Sequence, residues 1–125
     1  MTVNRKQLRQ IERKRRRGWI VSFLYETLPK PLEFASIMFL LDQKNFPLSI
    51  RRLSEELDYL RGLGFIRIFP HGTDKELSKI EQAKLLQRFA DSDGELSDDY
   101  CAILTTKGVN FQEGNDDASG IIRIN

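Results

Sequence analysis

The run from Ser49 to Phe69 constrains the fold more than any other part of the chain, because it specifies a helix, its end and a strand in immediate succession. Ser49 supplies a hydroxyl that can cap the orphan N–H groups of a helix start, and Leu48 and Leu53 flank it as a hydrophobic staple. Ile50, Leu53, Leu57 and Leu60 recur at spacings of three and four, which places them on one face of a helix over 50–61. Gly62 and Gly64 offer the left-handed backbone that ends helices. Phe65-Ile66-Arg67-Ile68-Phe69, bounded by Pro70, then reads as a strand. A second strand-like run, Tyr100 to Leu104, is expected to pair antiparallel with it.

Upstream, Trp19, Ile20, Phe23, Leu24 and Leu28 recur at helical spacing up to Leu28-Pro29-Lys30-Pro31, which predicts a first core helix over 19–28. Apolar side chains cover most of the circumference of 32–43, so this second helix should be the most buried. About thirty residues separate the two strands, too many for a simple hairpin. Leu77, Ile80, Ala83, Leu86 and Phe89 predict an amphipathic helix near 75–90 there, followed by the acidic loop Asp91 to Asp99. Thr105 to Phe111 suggests a short helical turn, and a polar tail closes the chain. The expected organisation is a basic arm over 1–17, a domain over 18–114 with an insert over 70–99, and a tail over 115–125.

Charge divides the chain unevenly. Residues 1–17 hold eight basic side chains against Glu12 alone, while residues 18–125 hold twelve basic against seventeen acidic. A single cysteine, Cys101, and a single histidine, His71, argue against a disulfide framework and against cysteine–histidine metal sites, and suit a reducing, cytoplasmic compartment. Apolar stretches such as 37–41 fall far short of the roughly 20 residues of a spanning helix, so no membrane association is expected. The acidic alternation after Asp91 lacks the glycine at position six and the glutamate at position twelve of a calcium loop, where Leu96 and Ala102 stand. His71 and Cys101 lie apart in sequence with no identifiable third member, so no catalytic residue, metal or cofactor is expected.

Three helices, a strand, a connection and a returning strand give the order of a winged helix. The class is α+β, mostly α: a winged helix with a basic N-terminal arm and a helical insert between the two wing strands. Asp58-Tyr59-Leu60-Arg61-Gly62-Leu63-Gly64-Phe65-Ile66 resembles the junction of recognition helix and wing in winged-helix regulators, and Leu104-Thr105-Thr106-Lys107-Gly108 resembles the close of such a wing. Together with Pro47-Leu48-Ser49, Glu113-Gly114 and Asp117-Ala118-Ser119-Gly120-Ile121, these runs resemble a small winged-helix family of Mu-like prophages. The resemblance implies a DNA-binding regulator.

On that reading the third helix would enter the major groove with Ser49, Arg51 and Arg52, while Arg67 in the wing would meet the backbone. Arg13, Lys14, Arg15, Arg16 and Arg17 would neutralise phosphates, with Leu8 and Ile11 spaced so that the arm could extend the first helix. The same helix face also reads as solvated ion pairs, Arg51 with Glu55 and Arg52 with Glu56. The wing region 70–100 holds eight acidic side chains against four basic ones, which phosphates would repel. The expected function is therefore a non-enzymatic double-stranded DNA-binding protein, a phage or bacterial transcriptional regulator. Its rival is a winged-helix protein-interaction module in phage assembly or accessory function. Partners admitted by the reading are double-stranded DNA, a second copy in a homodimer, and a protein docked on the 75–90 stripe.

Overall fold

In a computed structural model, residues 4–73 and 75–125 are described. They form five helices and a three-stranded antiparallel sheet, an α+β architecture that is mostly helical. No helix among the described residues is long and apolar enough to cross a membrane.

The first helix, α1, spans Arg5–Thr27 in one piece. Asn4 caps it in a reciprocal pair with Gln7, each side chain serving the other's backbone N–H. The expected boundary between arm and domain thus falls inside a helix about 34 Å long. Its first turns are exposed, whereas Gly18 and Ile20 to Leu24 are buried.

A two-residue strand, β1 (Leu32–Glu33), takes the first positions expected of the second helix, which becomes α2 (Phe34–Gln43). The expectation that α2 is the most buried helix is corrected. Phe34, Ile37 and Leu41 are buried, but Phe39 is 61% exposed. One face packs inward and the other meets solvent, although the sequence made both apolar.

Helix α3 spans Ile50–Gly62, with the Ser49 hydroxyl accepting the Arg52 N–H at 3.1 Å. Leu53, Leu57 and Leu60 are fully buried beneath it. Strand β2 (Ile66–Pro70) pairs antiparallel with β3 (Tyr100–Leu104), Ile66 opposite Leu104 and Pro70 opposite Tyr100. The sheet order is β1-β3-β2, so β2 is an edge.

Between those strands lies α4 (Lys79–Asp91), begun by a Ser78/Glu81 capping box. It packs on its own domain. Leu85, Leu86 and Phe89 are buried, and the Phe34 and Phe89 rings meet edge-on at 4.9 Å. The buried Gln82 side chain accepts the Ile68 N–H at 3.0 Å and donates to the Leu77 carbonyl at 3.1 Å. Ser54 of α3 donates to the Leu86 carbonyl at 3.1 Å. The stripe Leu77, Ile80, Leu86 and Phe89, which a docked protein could have used, is therefore largely consumed internally, and of its members only Ile80 stays well exposed, at 70%.

Thr105 caps the last helix, α5 (Thr106–Gln112). The segment after it is not a free polar tail. Ile121 is buried, the Ile122 N–H donates to the Lys14 carbonyl at 3.1 Å, and Gln112 donates to the Ile124 carbonyl at 2.6 Å. Gly18 is required here, because a Cβ at that position would collide with the Ile122 carbonyl oxygen.

Candidate nucleic-acid interface

Because α1 is helical from residue 5, its cations have fixed directions. Arg5, Arg9, Arg13 and Arg16 stand at successive intervals of four, four and three, on one face, with Lys6 at its margin. Arg5, Lys6, Arg9 and Arg13 are exposed. Arg15 is exposed too but belongs to the opposite face, with Leu8 and Ile11. Lys14 is half-buried and lends its carbonyl to the C-terminal segment.

Arg16 sits where α1 passes α3. Its Nε is buried and has no hydrogen-bond partner among the described residues. Burial holds its guanidinium below the ordinary arginine range; the Glu56 charge opposes that shift, and the neighbouring Arg52 and Arg13 charges add to it. Arg13 on α1 and Arg52 on α3 are thus both near enough to Arg16 for their charges to act on it.

Arg17 departs from the set expected to meet phosphates. Its Nε donates to Glu56 at 3.0 Å and its Nη1 to the Gly120 carbonyl at 3.1 Å, while the guanidinium stacks 3.6 Å from the Tyr59 ring. The Arg17 and Glu56 side chains are 13% and 2% exposed. The physical reason is competition: a buried carboxylate needs a full charge partner, and Arg17 reaches it from the covered side of α3.

That pairing rearranges the surface of α3. The expected Arg52–Glu56 and Arg51–Glu55 pairs do not form; Arg52 pairs with Glu55 at 3.2 Å, both well exposed. Arg51 is exposed and in no ion pair among the described residues. Arg61 is held by Asp58 at 2.6 Å. Ser49 is exposed, and because its oxygen accepts in the cap its O–H remains able to donate outward. Arg67 is exposed on the edge strand β2.

One acidic element adjoins this surface. The loop after α4 approaches the start of α3, with Gly94 against Ile50, and carries the exposed Asp93, Glu95, Asp98 and Asp99.

His71 and Cys101, thirty residues apart, lie together because Phe69 pairs with Cys101 and His71 follows at the strand end. The His71 Nδ1 is 3.3 Å from the Cys101 sulfur and 3.7 Å from a Glu33 oxygen. Both neighbours face the same ring nitrogen, whereas a relay would use one nitrogen for each. Burial, with a smaller contribution from the Glu33 charge, pushes the Cys101 thiol up to about 11, so it is protonated and a poor nucleophile at neutral pH. Among the described residues no group of three histidine, cysteine or carboxylate side chains is placed to hold a metal ion. At pH 8, iodoacetamide should modify Cys101 at least tenfold more slowly in the native chain than in the urea-unfolded one, where the thiol approaches the unperturbed value of about 8.5. Equal rates would show that the thiol is reached and ionised in the fold.

Comparisons with protein-family models, with curated proteins and with solved structures gave no match for this chain.

Proposed function

We propose that the chain is a winged-helix protein that binds double-stranded DNA as a phage or bacterial regulator, with α3 in the major groove and the basic face of α1 along the phosphate backbone. The observation that carries this reading is the cationic run Arg5, Arg9, Arg13 and Arg16 leading to Arg52, beside which Glu56 is buried and neutralised by Arg17. Phosphate contacts from such a run supply affinity, and arginines on α3 supply base recognition. The order helix, strand, helix, helix, strand, strand with sheet order β1-β3-β2 is compatible with that class, α4 being an addition between the last two strands.

A second reading, a winged-helix protein-interaction module, is favoured by one observation: the acidic loop lies beside the start of α3, where phosphates would be repelled. Binding to a selected site and to a scrambled duplex separates the two. Arg51→Lys or Arg52→Lys keeps the charge and loses the two-pronged donor, so discrimination between the duplexes should fall by about 1–3 kcal/mol while random-sequence affinity survives. Equal weakening on both duplexes would reassign these arginines to phosphate contact. No binding of the parent protein to either duplex at low salt would favour the protein-interaction module.

A further inference from the structure

The insert between the wing strands is acidic in total, yet most of its cations line a single cleft. Four carboxylates, Asp93, Glu95, Asp98 and Asp99, lie exposed on the loop after α4, while three of the four cations of residues 70–100, Lys75, Lys84 and Arg88, line one cleft beside α4. The cleft has a volume of about 340 Å³, at the small end of ligand sites. Pro70, Leu77 and Leu85 give it an apolar floor, and Lys75, Lys84 and Arg88 line it. Glu81 also lines it, but its carboxylate is turned to the helix start, accepting the Ser78 N–H at 3.1 Å, and those cap bonds hold its pKa below the ordinary range. Lys84 and Arg88 stand one turn apart on α4, beyond Glu81, and neither is in an ion pair among the described residues.

From these observations we infer that the cleft binds a small organic anion with an apolar body, its carboxylate received by Lys84 and Arg88 and its hydrocarbon laid on Leu77, Leu85 and Pro70. The chemistry fits both halves. Two long cationic side chains at i, i+4 can converge on one carboxylate, and charge-assisted hydrogen bonds are the strong ones. The apolar floor returns free energy only for a ligand that buries hydrocarbon against it, which a sugar-phosphate backbone does not. The inference is independent of DNA binding by α1 and α3.

Octanoate below its micellar range is a suitable probe, compared by calorimetry on the full chain with 1-octanol, octylammonium and inorganic phosphate. Octanoate should bind saturably at millimolar concentration or below, and each of the others at least about tenfold more weakly, as expected when either the charge-assisted bonds or the apolar contact is missing. The double variant Lys84→Gln, Arg88→Gln should lose about tenfold in octanoate affinity with its melting temperature unchanged, since both side chains are exposed. If that variant folds poorly, Leu77→Asp in the connection removes the floor instead, with the same loss expected. The inference is overturned if octanoate shows no saturable binding, if octanol or phosphate binds as tightly, or if a folded variant binds octanoate like the parent.

Discussion

Glu56→Ala should lower stability by about 3–5 kcal/mol, because it leaves the Arg17 guanidinium buried without its carboxylate. For a chain of this size that is a fall in melting temperature of roughly 10–20 °C, readable by calorimetry or circular dichroism. The control is Arg52→Ala, which removes only the exposed pair with Glu55 and should cost less than about 1 kcal/mol. A double change to apolar side chains, Arg17→Met with Glu56→Leu, should recover much of the loss, since apolar pairs often replace buried ion pairs without penalty. If Glu56→Ala cost no more than Arg52→Ala, the pair would be no anchor of α1 on α3.

The second large effect concerns affinity. Changing Arg5, Arg9 and Arg13 together to glutamine should leave the melting temperature unchanged, because all three side chains are exposed. It should also reduce the slope of log affinity for random duplex against log salt by about 2.7, at roughly 0.9 for each phosphate that is no longer neutralised. Arg15→Gln, on the opposite face of α1, should change the slope little. An unchanged slope in the triple variant would make the basic face of α1 a solubilising surface. A change in Arg15→Gln equal to one third of the triple effect would mean that charge alone matters and helical direction does not.

The third helix, the strand pair and the amphipathic insert were legible because each carries its own local signal: a cap, a period and a glycine stop. The start of α4 was marked as well, by Ser78 and Glu81 at capping-box spacing, and that mark places it at residue 79 where apolar periodicity alone suggested 75. Strand β1 was not legible, because two residues have no period; only its pairing with Ala102 and Cys101 defines it. The exposure of Phe39 was hidden for a related reason, since an apolar sequence does not say which of its faces finds a neighbour. In the candidate interface, Arg13 and Arg52 were readable as surface cations. Arg17 was not, because its partner lies 39 positions away and a buried long-range pair displaced the local i, i+4 pairing of Glu56. His71 and Cys101 were separated in the sequence by the insert that the strand register cancels.

The Gln82 side chain has a meaning for how the molecule behaves in a crowded solution. An edge strand presents a row of unused backbone donors and acceptors, which another chain can adopt as a template for cross-strand growth. On β2 the Ile68 donor is already occupied by Gln82, with α4 lying alongside, and the opposite edge, β1, offers only two residues. The sheet thus has little room to recruit a strand from a neighbour, so cross-strand growth is blunted at both of its edges.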